Sequence, residues 1–435
     1  MAGRVLVITY YWPPSGGAGV QRILKTVKYL RDFGWEPVVY TAADAAYPVL
    51  DESLNREVAP DLEVIRGPIW EPYELYKRFT NKGKDERVYS GLMNDAATPS
   101  LAQRAAVWIR GNLFIPDARR FWIAPSVRRL ADYLKERPVD ALLSTGPPHT
   151  THLIARNLRR RTATPWLADF RDPWTNIDFY DQLMLTPWAD RRHRRGEASV
   201  LREADAVTTV SWSWAEDFRE LGRPDVTVVT NGYDTADFPA ELPEPDATFT
   251  LCHIGSLNRD RNSEPLWRTL AELATEDPAF GRDLRLRFIG KTEEHTFRQL
   301  RELGLGDNLE AIDYLPHSEV TAQLGRARAL LLLTNDTPNV SGVVPGKLYE
   351  YLAAGRPILG VGTADGDSAR ILRETGAGRM CGFREPGAMR ATLLDYYADY
   401  RADRTNYSGN PTAIARFTRR GGAERIAAIL DNITA

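Results

Sequence analysis

Short apolar runs alternate with segments of helical period along most of the chain. Residues 5–10 read as a strand, and the stretch from Trp12 to Gly19 reads as a loop. Val20, Ile23, Leu24, Val27 and Leu30 then fall on one face of a helix that Gly34 stops. Further strands are predicted at 37–41, 62–66, 141–144, 165–169, 206–210 and 226–230, with helical segments between most of them. A second series has strands at 248–254, 284–289, 309–312, 329–333 and 357–361. Its helices are predicted at 263–275, 296–303, 318–324, 346–354 and 368–374. Strands alternating with helices predict parallel sheets covered on both faces. Sheets of this kind take ligands at the carboxyl ends of their strands. The expected architecture is α/β, two Rossmann-like doubly wound domains facing across a cleft.

Two stretches break the rhythm. Residues 70–125 are aromatic, basic and rich in loop residues, and read as an insertion in the first domain. Within it Leu101, Ala102, Ala105, Ala106, Trp108, Ile109 and Leu113 share one side of a helix, with Gln103, Arg104 and Arg110 on the other. Such a stripe faces a core or lies in a membrane interface. Residues 233–247 hold three prolines and several acids without apolar period, and read as a linker. The domains are then 1–235, which would bind the acceptor, and 248–411, which would bind the donor. A final helix at 412–433, within 412–435, is expected to pack back on the first domain.

Composition is that of a globular protein, with 43% hydrophobic and 26% charged residues in 435. No apolar run approaches the ~18 residues that span a bilayer. With two cysteines, Cys252 and Cys381, there is no disulfide framework. These features predict a cytoplasmic protein, at most peripheral on the inner face of the membrane. The net charge of −2 predicts no nucleic-acid partner. Residues 101–161, by contrast, hold twelve basic and four acidic residues, a local +8 that suits an anionic surface or a phosphorylated substrate.

Chemistry concentrates in a few places. Gly16 and Gly17 lie between the first strand and first helix, where backbone N–H groups can approach an anion; a tight turn without ligand is the other reading. The spacing is not that of a dinucleotide loop, which disfavours a nicotinamide enzyme. In the segment 338–359 a loop opens a helix whose entrance carries Pro345, Gly346 and Lys347, a setting suited to a diphosphate. Glu350 follows one turn on, where it can accept bonds from ribose hydroxyls. His149, after a strand end, either orients an acceptor hydroxyl or caps the next helix. Asp172 either contacts the acceptor or pairs with Arg171. Asp365-Gly366-Asp367 reads as a loop and helix cap rather than a metal site.

The run Gly346-Lys347-Leu348-Tyr349-Glu350-Tyr351-Leu352-Ala353-Ala354-Gly355-Arg356-Pro357-Ile358 resembles the nucleotide-sugar motif of the family 4 retaining glycosyltransferases of GT-B fold. Asn231-Gly232-Tyr233-Asp234, His253-Ile254-Gly255-Ser256-Leu257 and Phe288-Ile289-Gly290 resemble other segments of that family, in order, over nearly the whole length. The resemblance implies a hexosyltransferase-like enzyme of cell-envelope polysaccharide or glycolipid synthesis. Its partners would be a UDP- or GDP-sugar donor and a sugar or lipid-linked acceptor, with no metal or other cofactor, and the basic stretch 101–161 adds contact to an anionic membrane. Arg261 and Lys347 would clamp the leaving diphosphate, with His149, Arg171 and Asp172 on the acceptor side. Gly16, Gly17, Gly255, Gly290, Pro345, Gly346 and Glu350 would line the donor. The family's Glu-x7-Glu is met only at its second position, since Gly342 stands at the first. Two alternatives share the shape: a nucleotide-sugar epimerase and a non-catalytic sugar-nucleotide-binding protein.

Overall fold

The computed structural model describes residues 2–71, 101–177, 179–313, 315, 317–337, 340–404 and 407–435. Most of the predicted insertion, residues 72–100, therefore lies outside the described residues. The chain divides into two compact units, Met1–Thr230 with Arg419–Ala435, and Asn231–Thr418.

The first unit holds seven parallel strands: β1 (Gly3–Ile8), β2 (Trp35–Ala42), β3 (Glu63–Gly67), β4 (Ala141–Gly146), β5 (Trp166–Phe170), β6 (Ala206–Thr209) and β7 (Val226–Val228). Their order is β3-β2-β1-β4-β5-β6-β7, so the sheet reverses direction of growth between β1 and β4. Side chains alternate across it. Val5 and Val7 meet Val20, Ile23 and Leu24 of the Ala18–Leu30 helix, while Leu6 and Ile8 join Leu130, Ile154 and Val200 on the other face.

The C-terminal stretch is two helices, Pro411–Ala415 and Arg419–Thr434, rather than one over 412–433. Between them the Phe417 carbonyl accepts the Tyr233 N–H at 3.1 Å, so the chain there pairs with residues 232–233 instead of winding on. Within the first unit, Ile426 and Leu430 of the longer helix join the core, and Trp35 Nε1 donates to Asp431 at 2.9 Å.

A buried ion pair fastens β5. Arg22 Nε and Nη2 donate to Asp169 at 3.0 and 2.7 Å, and Thr145 and Thr208 hydroxyls donate to the same carboxylate at 3.0 and 2.9 Å. Burial pushes that carboxyl up, but the Arg22 charge and these donors hold it below the usual carboxylate range.

The second unit holds six parallel strands: β8 (Phe249–Ile254), β9 (Leu284–Ile289), β10 (Leu309–Ile312), β11 (Ala329–Leu333), β12 (Ile358–Val361) and β13 (Gly378–Cys381). The order β10-β9-β8-β11-β12-β13 puts its switch point between β8 and β11. The two sheets thus repeat one Rossmann-like plan. Among the described residues no helix is long and apolar enough to cross a membrane.

Candidate functional site

In the second unit, the expected donor residues gather at the carboxyl ends of β8 and β11. The chain leaves β8 through Gly255 at φ +98°, a left-handed conformation that favours glycine. A Cβ there would stand 3.2 Å from Lys347 Nζ, so the missing side chain makes room for the ammonium. Gly290 lies against Gly255 and keeps the same approach open.

Lys347 sits in the first turn of the Gly346–Ala354 helix, which starts after Pro345 and ends at Gly355 in the left-handed region. That first turn presents backbone N–H groups with no partner inside the helix, and the positive end of its dipole. Tyr351 locks the helix to the sheet: its hydroxyl accepts the Ile254 N–H at 3.0 Å and lies 3.4 Å from the Leu331 carbonyl.

His253 holds the ammonium in place. His253 Nδ1 is 3.0 Å from the Leu331 carbonyl, an acceptor, so Nδ1 carries the proton. Nε2 is then a lone pair, which accepts from Lys347 Nζ at 3.2 Å. Burial, followed by the Lys347 charge, keeps this imidazole neutral. Arg261 is fixed by Asn335 Oδ1 at 2.7 Å and the Ser256 carbonyl at 3.1 Å. Neither cation forms an ion pair among the described residues. Loss of hydration pushes the Lys347 amine down to about 7; Arg261 pushes the same way, and Glu350, one turn along, opposes it. Two fixed cations without an ion-pair partner beside a helix entrance are an arrangement that can receive an anion. Beside Arg261 a cavity of about 170 Å³ runs between Thr334, Val361 and Phe383.

In the first unit, a second cavity of about 250 Å³ opens among residues following β1, β4 and β5, lined by Tyr11, His149, Arg171, Asp172 and Trp174. Arg171 Nη1 donates to the Gly19 carbonyl at 2.8 Å, and Arg171 pairs with Asp172 at 3.3 Å. Asp172 thus pairs with Arg171, and it also lines the cavity. His149 makes no side-chain cap to the Thr150–Thr162 helix. Asp117 supplies that cap instead, accepting the Thr150 N–H at 3.0 Å. The His149 ring stacks on Trp174 with centroids 5.0 Å apart and planes 3° from parallel. Its Nδ1 has no partner, and burial, with His152 and Arg171 nearby, holds it neutral.

The expectation for Gly16 needs correction. Its N–H already donates to the Val49 carbonyl at 2.9 Å, so that group is not free for an anion. Its lack of a side chain serves packing, since a Cβ would stand 3.0 Å from Val49. Gly17 differs: at φ +85° it precedes the Ala18–Leu30 helix, with nothing within 4 Å of its Cβ position. Both glycines belong to the first unit, and the other expected donor residues to the second.

Comparison with known proteins decides the family. A family described as Glycosyl transferase 4-like domain matches residues 16–233, half of the chain. The chain belongs to this family. Curated protein sequences give no match. Solved structures that are similar include sucrose-phosphate synthase from Thermosynechococcus elongatus, at 14% identity and TM-score 0.62, covering 99% of this chain and 98% of that one. The lipopolysaccharide outer core galactosyltransferase WaaB matches at 16% identity and TM-score 0.57, over 98% of this chain and 99% of its own. A Listeria monocytogenes protein described as a UDP-N-acetylglucosamine 2-epimerase matches at 12% and TM-score 0.53, over 99% and 96%. At these identities the likeness shows the fold, GT-B.

In this glycosyl transferase 4-like chain, several supporting residues escape a reading of the sequence. His253 and Asn335 hold Lys347 and Arg261 from 94 and 74 positions away. Trp174 is held in turn by His193 Nδ1, which accepts its indole N–H at 3.0 Å, and by Glu197, which accepts its backbone N–H at 3.0 Å. Glu197 falls at a buried position of the Pro187–Glu203 helix, and burial raises its carboxyl. A charged residue on the apolar face of a predicted helix is the one signal that points to it.

Proposed function

We propose that the protein transfers a sugar from a nucleotide diphosphate to a hydroxyl acceptor with retention of configuration, in cell-envelope polysaccharide or glycolipid synthesis on the cytoplasmic side. The observation that carries this reading is the pair Lys347 and Arg261, fixed by His253 and Asn335 at the β8/β11 switch point with no ion-pair partner among the described residues. The donor's diphosphate would supply that partner. Its nucleoside would lie in the cavity beside Arg261, with ribose hydroxyls on Glu350. As the anomeric bond breaks, negative charge grows on the leaving diphosphate, and preorganised cations stabilise that state more than the ground state. The leaving phosphate would take the proton of the incoming hydroxyl, so no covalent nucleophile is required. The acceptor would occupy the His149–Trp174 cavity, where a neutral imidazole can orient a hydroxyl.

Incubation with UDP- and GDP-sugars and with sugar or glycolipid acceptors tests the reading. Release of nucleoside diphosphate with a glycosylated product of unchanged anomeric configuration is the expected result. An epimerised donor, or tight binding without turnover, would overturn it. Replacing Glu350 with alanine should weaken UDP or GDP binding about tenfold, as loss of a charged hydrogen bond implies. Titration calorimetry that finds unchanged affinity would remove Glu350 from the site.

The lowered Lys347 amine gives a pH signature. Above pH 7 the ligand-free lysine loses its proton, and a bound diphosphate draws it back. Affinity for UDP should therefore fall with rising pH above 7, with a slope approaching tenfold per unit. Subtracting the profile of Lys347→Met removes the nucleotide's own titration, and identical slopes in both proteins would refute the assignment. The ligand-free fold should also gain stability from pH 7 toward 10.5, because over that window the unfolded chain keeps a proton the folded chain has lost.

A further inference from the structure

The Leu101–Leu113 helix is mounted with its large apolar side chains outward. Leu101 is 83% exposed, Leu113 51%, and Trp108 and Ile109 42% each. The buried residues of the helix are Ala106, Gly111 and Asn112. A Cβ on Gly111 would stand 2.8 Å from the Leu183 carbonyl, the Asn112 amide donates to the Met184 carbonyl at 3.2 Å, and its oxygen accepts the Thr186 N–H at 2.7 Å. The helix is thus fastened by its small and polar residues, the reverse of what burial of apolar surface in water would select.

The stripe continues into aromatic surface. Phe121 meets Phe114 at 6.1 Å and Trp70 at 5.0 Å, and Trp70 and Phe121 are about half exposed. The rim is basic: Arg104 is exposed, and Arg120 lies 5.5 Å over Phe121. The helix itself carries no acid. A second copy would bring this basic rim against its own like, because a two-fold contact pairs identical patches. Apolar and tryptophan side chains inside a basic rim instead match the boundary of an anionic bilayer.

We propose that this face docks on a membrane carrying anionic lipid, with Trp108, Ile109 and Leu113 entering the headgroup boundary and Arg104 and Arg120 meeting lipid phosphates. Phe114 and Arg110 also line the His149–Trp174 cavity. The docked face therefore adjoins that cavity. On the reading of the cavity as the acceptor site, the acceptor is a membrane-held amphiphile whose sugar end enters it.

The test is flotation of the full chain with vesicles of phosphatidylcholine alone and of equal parts phosphatidylcholine and phosphatidylglycerol. Binding is expected to the mixed vesicles and to weaken with salt. The double variant Arg104→Glu with Arg120→Glu should bind more than about twentyfold more weakly, since each basic residue at a surface counts for about fivefold. Trp108→Ser with Ile109→Ser should lose binding while keeping its melting temperature and its thermal shift with UDP. Absence of binding to mixed vesicles, equal binding by the folded variants, or a wild-type dimer abolished by the same substitutions would overturn the proposal. The vesicle measurement needs no sugar donor, so it stands if the transferase reading fails. Conversely, transfer to a soluble acceptor without vesicle binding overturns docking alone.

Discussion

Replacing Lys347 with alanine is expected to lower turnover by about 10²–10³-fold, the usual cost of removing one preorganised group from developing negative charge. The site gives two reasons for the size of the effect. The ammonium is held by His253 Nε2 at 3.2 Å, so its position is set before any ligand arrives. It has also lost hydration, as its amine lowered to about 7 records, so little water screens it from a neighbouring anion. The same facts predict that the ligand-free fold suffers little. A partly dehydrated cation beside Arg261 destabilises the unliganded protein, and its removal should leave the melting temperature equal or higher. Steady-state kinetics at saturating donor, with the melting temperature measured alongside, checks both halves. Turnover within a few-fold of wild type would show that Lys347 does not act on the leaving group.

The second large effect concerns stability. Asp169→Ala should cost about 3–5 kcal/mol, because it breaks a buried ion pair with Arg22 and leaves the Thr145 and Thr208 hydroxyls without their shared acceptor. For a unit of this size that corresponds to a fall of roughly 10 °C in melting temperature. Removing both partners, as Arg22→Met with Asp169→Ala, should recover part of the loss, since breaking a buried pair costs more than replacing both of its members. Urea unfolding of the three variants measures this. A double variant no more stable than Asp169→Ala would show that the broken pair is not the cause.

Much of this fold was legible because its strands are buried on both faces. Such strands read as apolar runs, and 329–333 matches the observed β11 residue for residue; 284–289 and the edge segment 309–312 match β9 and β10 as well. β13 escaped because Gly378-Arg379-Met380-Cys381 lies at a sheet edge and needs no apolar run. The Pro386–Arg401 helix escaped because Met389, Leu393 and Tyr397, its buried residues, are interleaved with Leu394, Tyr396 and Tyr400, which blur the stripe. In the candidate site, a helix entrance pointed to Lys347, and the family resemblance to Gly255 and Arg261. His253, Asn335 and Glu197 act across dozens of residues, and no spacing rule reaches that far. Gly16 misled because a glycine that packs against Val49 has the same letter as one that meets an anion. The apolar stripe of 101–113 had two readings, and the small, polar contacts of Gly111 and Asn112 turn it outward.

The first unit takes one of its layers from residues 419–435, after the whole second unit has been spelled out. On the ribosome, the sheet face carrying Val5, Val7 and Leu143 must wait for Ile426 and Leu430, which lie more than four hundred positions behind Val5 and Val7. The later unit can therefore mature before the earlier one closes, inverting the vectorial order of assembly. The interval leaves a greasy, half-finished surface for chaperones to guard.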